Sequence, residues 1–332
     1  MPITYTAFKG SPSGTIQEET VCHRDLQHDE VLVRITHSGV CGTDEHTRHT
    51  HRTLGHEGVG VIEKVGSEVV GFAPVGIGYV RGGCGACKEC RLGYNFYCVT
   101  KPNNYGFDKG DEDVATWASH AVLPTIRLAK IPDAIPSEYA GPLMCAGQTV
   151  WLPFARTDIR PWHTVGILGI GGLGHLAIQF ASKMGCNVVV FSGSESKRAE
   201  AKKLGANKFY TAEDLEKEDM PKGFVDHLLV TTSQMPDWKV YHSVLANRAY
   251  IYPLTISTDD FKMNQFSMIQ KEITVRVLCA STIVQVNEML GFAARHEIRP
   301  IIEEFPMTLE GINEAMGKLA AGKMRYRGVL KV

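Results

Sequence analysis

Hydrophobic and polar positions alternate along the first 150 residues in short runs that Gly and Pro interrupt. Residues 31–35 and 59–65 follow the two-residue period of half-buried strands. Few stretches in this half keep the longer period of a helix. The first half is therefore predicted to be a mainly β domain.

The pattern changes after Pro161. Apolar runs at 164–168 and 187–191 predict buried strands, and helical spacing predicts helices at 173–184 and up to residue 204. Gly185 and Gly205 are placed to end these helices. Further strands are predicted at 227–230, 249–252 and 273–278. Strands that alternate with helices indicate an α/β domain with a parallel sheet covered on both faces.

The last stretch of the chain has helical patterns at 286–295 and 309–320 and ends in a strand-like run at 328–332. A length of 332 residues predicts roughly two domains. We place the first domain at 1–150 and the second at 151–285, with 286–332 returning to the first.

Charge and composition narrow the classes of function. Lys and Arg number 35 against 36 for Asp and Glu, and this balance argues against binding to nucleic acid or to a membrane surface. No apolar run is long enough for a membrane-spanning helix, and the N-terminus lacks a secretory pattern, so a cytoplasmic location is expected. In a reducing compartment, 9 cysteines indicate metal or catalytic roles before disulfides.

Four of these cysteines crowd into a glycine-rich segment with the spacing C-x2-C-x2-C-x7-C: Cys84, Cys87, Cys90 and Cys98. Four thiolates fit the closed tetrahedral shell of a structural zinc ion. An iron–sulfur cluster would also accept four cysteines, and an unliganded reduced loop is the third possibility. A zinc-finger-like nucleic-acid binder built on this loop is opposed by the neutral charge.

A second group of metal-ligand types is spread along the chain. Cys41 follows a predicted strand, His56 precedes another, and Cys145 lies much later. Two cysteines and a histidine can hold a catalytic zinc ion whose fourth position stays open. The spacing alone is weak evidence, since Cys145 could be a small buried apolar residue.

A glycine-rich motif connects the predicted strand 164–168 to the helix that follows it: Gly169-Ile170-Gly171-Gly172-Leu173-Gly174. A strand, a G-x-G-x-x-G turn and a helix together place a dinucleotide pyrophosphate at the helix N-terminus. A tight turn without a ligand is the alternative interpretation.

The end of the next strand carries the residues expected near the adenosine ribose. Ser192 stands where an NAD site has an acidic residue, and Ser194, Lys197 and Arg198 could donate hydrogen bonds to a 2′-phosphate. This favours NADP(H). Glu195 would weaken or reverse the preference if it approached the ribose, and the two basic residues could also be a solvated helix face.

From Cys41 to Cys145 the sequence resembles the zinc-dependent alcohol dehydrogenases of the medium-chain dehydrogenase/reductase superfamily, and the match covers nearly the whole chain. The glycine motif, the Ser-rich stretch after Phe191 and Arg325-Tyr326-Arg327 are most similar to the cinnamyl alcohol dehydrogenase branch. The resemblance implies a GroES-like β domain plus a Rossmann doubly wound parallel-sheet domain, an active site where the domains meet, and a homodimer.

The resemblance also implies roles for single residues. It makes Cys41, His56 and Cys145 the catalytic zinc ligands and Glu57 the neighbouring carboxylate. It assigns Asp44 to hold the ligand histidine in its tautomer, and Thr149 to line the nicotinamide. Thr43 would bond the substrate oxygen and start a proton relay that ends at His46.

The expected function is hydride transfer between NADP(H) and a small alcohol, aldehyde or ketone, with two zinc ions per chain, one catalytic and one structural. Two alternatives stay open: 1,4-reduction of a conjugated carbonyl or iminium, and a nucleotide-binding protein that has lost catalysis. The 14 residues between Cys41 and His56 are fewer than the family usually has, which should reshape the substrate pocket. His46, His49 and His51 are expected in a solvated loop rather than in a further metal site.

Overall fold

The chain divides into two compact units. The computed structural model describes residues 2–69, 74–106, 112–257 and 259–332. One unit comprises residues 1–148 with 280–332, and the other comprises residues 149–279. The breaks thus follow Gln148 and Cys279, whereas the sequence placed boundaries after residues 150 and 285.

The first unit is built mainly from short strands. Its strands are β1 (Ile3–Lys9), β2 (Gln17–His23), β3 (Glu30–Val40), β4 (Gly58–Val65), β5 (Val75–Ile77), β6 (Val80–Gly82), β7 (Asn103–Asn104), β8 (His120–Pro124) and β9 (Leu128–Lys130). Its helices in this part of the chain are α1 (Gly42–Thr47), α2 (Lys88–Arg91) and α3 (Ser137–Pro142). A π-helical turn, Leu143–Gly147, follows α3.

The second unit alternates strands with helices. Its strands are β10 (Thr164–Leu168), β11 (Asn187–Ser192), β12 (Lys208–Thr211), β13 (Val225–Val230), β14 (Leu245–Pro253) and β15 (Thr274–Val275). Helix α4 (Gln148–Arg156) leads into it, and its other helices are α5 (Gly174–Lys183), α6 (Arg198–Leu204), α7 (Ala212–Leu215), α8 (Trp238–His242) and α9 (Gln265–Lys271). The chain then adds α10 (Ile283–Arg295), β16 (Ile302–Pro306), α11 (Leu309–Ala320) and β17 (Arg327–Lys331) to the first unit.

The main sheet of the first unit has the order β16-β17-β3-β4-β5-β9, and β8 also pairs with β3. The apolar positions of the alternating runs form its core, in which Val31, Val33 and Ile35 of β3 pack on Val75 and Ile77 of β5. The C-terminal strand β17 pairs antiparallel with β3. Residues from both ends of the chain therefore meet at one sheet.

The sheet of the second unit has the order β12-β11-β10-β13-β14-β15, and each pair in it is parallel. This confirms the parallel sheet predicted from the alternation of strands and helices. Gly205 ends α6 in the left-handed conformation, with φ of 114°. The strand predicted at 273–278 is formed only at Thr274–Val275, because β15 is the edge of the sheet and Val277 beyond it is 73% exposed.

Within the described ranges, no helix combines the length and apolar character needed to cross a bilayer.

Candidate active site

Four of the predicted site residues lie together in the first unit. The ligand atoms of Cys41, His56, Glu57 and Cys145 all lie within 4.8 Å of one another. We call these four residues the open cluster. Cys41 directly follows β3, and the pair His56-Glu57 directly precedes β4. Because β3 and β4 pair antiparallel up to Ser38 opposite Gly58, the end of one strand and the start of the other are neighbours.

The two thiols of the open cluster have the separation that one metal ion requires. The Sγ atoms of Cys41 and Cys145 are 4.0 Å apart, and both cysteines are free. Two thiolates on one tetrahedral zinc ion, each at about 2.3 Å, would be about 3.8 Å apart. A hydrogen bond from the Cys145 thiol lowers the pKa of Cys41 well below its usual range. Cys145 itself lies in the π-helical turn, a form that recurs at functional sites.

The imidazole of His56 is oriented for metal binding. Its Nδ1 lies 3.0 Å from Oδ1 of Asp44, and the ring is fully buried. Its Nε2 is buried and has no hydrogen-bond partner among the described residues. A carboxylate on one ring nitrogen and a bare second nitrogen beside two thiols is the arrangement of a zinc-ligating histidine. The residues present therefore fit a zinc ion.

Asp44 connects two members of the open cluster, Cys41 and His56. Its Oδ2 accepts the backbone N–H of Cys41 at 3.0 Å, which caps α1. Its Oδ1 accepts both from His56 and from the hydroxyl of Tyr105, the latter at 2.9 Å. The sequence did not predict α1, because six residues carry too little periodicity. It also gave no signal for Tyr105, whose role depends on the tertiary fold.

Glu57 forms a buried ion pair with Arg327 at the start of β17. Burial raises the pKa of Glu57 to about 7, while the positive charge of Arg327 acts in the opposite direction. An added Cβ at Gly39 would lie 1.8 Å from the Glu57 carboxylate. A glycine at this position of β3 therefore leaves room for the Glu57 side chain. The sequence singled out Arg327 only as part of a motif, without a role.

The proposed relay residues lie on α1, one buried and one exposed. Thr43 is buried, with its Oγ1 3.7 Å from Sγ of Cys41. His46 lies three residues later, on the same side of the helix, and is exposed. His49 and His51 are exposed beyond the helix end. The structure thus brings Thr43 to the open cluster and leaves His46 at the surface.

The four-cysteine segment closes on itself. Its ligand atoms, from Cys84, Cys87, Cys90 and Cys98, lie within 4.8 Å of one another. The separations Cys84–Cys90 and Cys87–Cys98 are 4.0 and 3.9 Å, which suits one tetrahedral ion rather than a larger cluster. Backbone N–H groups of Cys84 and Lys101 each donate to Sγ of Cys98 at 3.3 Å. These two bonds lower the pKa of Cys98 to about 6, and the bond from Cys84 contributes most.

The glycine motif of the second unit has the geometry of a dinucleotide turn. Gly169 has a φ of +95°, and an added Cβ at Gly174 would lie 2.0 Å from the Gly169 carbonyl oxygen. An added Cβ at Gly171 would meet nothing within 4 Å, which leaves its backbone open to a ligand. These are the three roles that the motif requires. Thr149, the predicted nicotinamide contact, is half-buried in α4.

The segment after β11 brings one basic side chain to this turn. Nζ of Lys197 donates to the Ile170 carbonyl at 2.7 Å. Arg198 is paired with Glu195, its Nη2 lying 2.8 Å from Oε2. Glu195 therefore faces Arg198 rather than standing free, and Ser192 ends the strand without a carboxylate.

Comparisons with known proteins agree with this architecture. Residues 27–133 match the family model described as an alcohol dehydrogenase GroES-like domain, and residues 172–295 match the zinc-binding dehydrogenase model. The chain is 32% identical to the aldehyde reductase AdhA of Synechocystis, with 92% of each chain covered. It is 30% identical to the NADP-dependent alcohol dehydrogenase C 1 of Mycolicibacterium smegmatis, with 96% of this chain and 95% of the relative covered.

Solved structures agree as well. A cinnamyl alcohol dehydrogenase from Sorghum bicolor superposes with a TM-score of 0.91 at 26% identity, covering 99% of this chain and 98% of that one. CAD from Helicobacter pylori, complexed with NADP(H), superposes with a TM-score of 0.85 at 25% identity, covering 100% of this chain and 99% of that one. These findings confirm the predicted fold, a GroES-like domain with a Rossmann doubly wound domain.

The buried pair of Glu57 and Arg327 generates a stability prediction. Arg327→Met leaves the carboxylate buried without its counter-ion, so we expect the free energy of unfolding to fall by about 3 to 5 kcal/mol. The double variant Glu57→Gln with Arg327→Met should recover part of this loss. Urea denaturation measures both.

The control is Arg34→Met, which removes a solvent-exposed pair with Glu63 in the same unit and should cost at most about 1 kcal/mol. Equal stability losses for Arg327→Met and Arg34→Met would show that the buried ion pair contributes no more to the free energy of unfolding than an exposed one.

Proposed function

The chain belongs to the zinc-binding alcohol dehydrogenase family, and on that premise we propose that it interconverts an alcohol and an aldehyde or ketone by hydride transfer with NADP(H). The observation that carries the proposal is the open cluster. Two thiols and Nε2 of His56 converge on one point, and Asp44 forms a hydrogen bond with the other ring nitrogen, Nδ1. Carbonyl reduction needs such a centre to draw electron density from the oxygen.

Cys41, His56 and Cys145 would hold a zinc ion, with Glu57 beside them. When bound, zinc would supply Lewis-acid polarisation of the substrate oxygen, and the nicotinamide would supply the hydride. The buried hydroxyl of Thr43 would bond the same substrate oxygen and pass the proton toward His46. Because His46 is exposed, it can exchange that proton with solvent.

The four-cysteine segment would hold the second zinc ion of each chain. Four thiolates fill a tetrahedral shell, so the site has no position for substrate and would stabilise its loop. The N–H donors on Cys98 and Cys84 are those expected for thiolates, since backbone N–H groups stabilise negative sulfur.

Turnover and zinc content test the chemistry of the open cluster. Wild-type protein with cinnamaldehyde and NADPH should yield cinnamyl alcohol, and Cys145→Ala should reduce turnover by about 10³-fold or more, the equivalent of several kcal/mol of Lewis-acid stabilisation. NADPH binding should change little, since the glycine turn lies in the other unit. The zinc content should fall by one ion per chain.

Cys22→Ala is the matched control, because Cys22 is exposed and free of both metal groups. Unchanged turnover in Cys145→Ala would contradict the zinc mechanism. A saturated aldehyde as the wild-type product would replace carbonyl reduction by 1,4-reduction. No turnover with either cofactor would leave two interpretations, a narrow specialised pocket or a catalytically inactive nucleotide-binding protein.

The cofactor preference rests on the residues after β11. Ser192 brings no negative charge to the strand end, and Lys197 lies against the glycine turn. A 2′-phosphate would be accepted there, because charge-assisted hydrogen bonds from Lys197 and from the serine hydroxyls favour it.

We therefore expect a higher kcat/KM with NADPH than with NADH. Ser192→Asp should lower that ratio by at least about 10-fold, because like charges brought together cost several kcal/mol. Ser192→Ala, which adds no charge, should keep the wild-type preference. Steady-state kinetics with both cofactors measure the ratio of the two kcat/KM values. An unchanged ratio in Ser192→Asp would show that the 2′-phosphate does not bind beside Ser192.

A homodimer is the proposed assembly. The segment that contains α9 and the edge strand β15 exposes large apolar side chains: Phe266 is 67% exposed, Ile269 66% and Val277 73%. An edge strand with exposed apolar neighbours is a surface that another copy can cover.

Replacing both Ile269 and Val277 by Lys should convert the dimer to a monomer, because each chain would bury two charges in the interface. Light scattering coupled to size-exclusion chromatography measures the mass. Val65→Lys, at a half-exposed position of the first unit, is the control. A double variant that keeps the mass of the wild-type assembly would exclude this surface.

A further inference from the structure

Tyr105 is a buried residue of the first unit that directly follows β7. We propose that Tyr105 is the positioning residue that fixes the His56 imidazole for metal binding. This inference rests on the proposed function of the open cluster. The hydroxyl, the ring and the surroundings of Tyr105 support it separately.

The hydroxyl of Tyr105 acts on the group that orients His56. It donates to Oδ1 of Asp44 at 2.9 Å, the same oxygen that faces Nδ1 of His56 at 3.0 Å. With its proton directed at Asp44, the phenol oxygen can accept, and the backbone N–H of Gly55 donates to it at 2.8 Å. Gly55 directly precedes His56. One hydroxyl therefore holds both the carboxylate behind the imidazole and the backbone that carries it.

The ring of Tyr105 acts on the imidazole directly. Its centroid lies 4.8 Å from that of His56, with 24° between the planes, so the two rings are stacked. Tyr79 contacts the same imidazole edge-on, at 5.9 Å and 89°. Contacts on a face and along an edge oppose rotation of the imidazole about its Cβ–Cγ bond. Nε2 is thereby kept toward the two thiols.

Tyr105 is itself held in place. The guanidinium carbon of Arg81 lies 5.6 Å from its ring centroid, and Nη2 of Arg81 donates to the Gly55 carbonyl at 3.1 Å. Oγ1 of Thr47, on α1, lies 3.1 Å from the phenol oxygen. Both polar groups of Gly55 are thus satisfied by side chains that also contact each other.

Removal of the hydroxyl leaves two buried groups short of a partner. Asp44 loses one of its donors, and the Gly55 N–H loses its acceptor. Buried polar groups seek new partners, so the Asp44 carboxylate and the His56 imidazole are free to reorient. Mutation of a group that hydrogen-bonds to a metal-ligating histidine typically lowers the metal affinity by about 10-fold to 100-fold.

The experiment measures metal binding rather than turnover. Apo protein of wild type and of Tyr105→Phe is titrated with zinc against a chelator, and with cobalt by visible absorption. We expect affinity at the open cluster to fall by about 10-fold or more, with an altered cobalt spectrum, while the four-cysteine site is unchanged. Tyr5→Phe is the control, since it removes a buried hydroxyl of the same unit that bonds only the Asp113 carbonyl in the described contacts.

Equal affinity and equal spectra in Tyr105→Phe and wild type would overturn the inference. Loss of both metal sites together would reveal a misfolded chain. Tyr105→4-aminophenylalanine then decides, because it keeps the ring but is a weaker donor and a poor acceptor. An intermediate affinity supports positioning, and wild-type affinity contradicts it. If the open cluster of the wild-type protein binds neither zinc nor cobalt, the proposed function itself fails, whatever Tyr105 does.

Discussion

The buried carboxylate of Asp44 is the constraint on which the candidate active site depends. An ionised carboxylate that is removed from water is costly unless hydrogen bonds compensate it. Three donors do so here, from the Cys41 backbone, the His56 ring and the Tyr105 hydroxyl. These donors come from the start of α1, the segment before β4 and the segment after β7. All three segments must be in place together for the carboxylate to be satisfied, so Asp44 couples the positions of Cys41 and His56 to the packing of these segments.

The two clusters of candidate metal ligands differ in how far the sequence could reveal them. The cysteines from Cys84 to Cys98 lie within one short segment, so their spacing alone predicts that the four sulfur atoms can surround one ion. The observed sulfur separations fit this prediction. Cys41 and Cys145 are far apart, and no local pattern brings them together. Their meeting depends on the packing of α3 against the end of β3 and on the turn after α3. Only the resemblance to a family could name them as partners, and their roles as ligands remain proposals.

The same distinction applies to the fold. The parallel sheet and the glycine turn follow from local periodicity and could be predicted, down to Gly205 at the end of α6. The strand after Ile273 is shorter than its apolar pattern suggests, since an edge strand has a neighbour on one side only. Tyr105 and Arg327 gave no signal as site residues. Their contributions are contacts with groups distant in sequence, and residue type alone does not encode such contacts.

Charge explains why the open cluster has this composition. Arg327 is committed to Glu57, and these two charges cancel. The charge of Asp44 is dispersed over three hydrogen bonds. The thiolate forms of Cys41 and Cys145 would add two negative charges to a buried site, where His56 and Arg327 are the cationic groups that act on Cys41. A divalent cation has the charge that balances two thiolates, and a neutral His56 completes its coordination without adding any. Deprotonation of the thiols and acceptance of the ion are therefore coupled steps, as linkage between metal and proton binding requires.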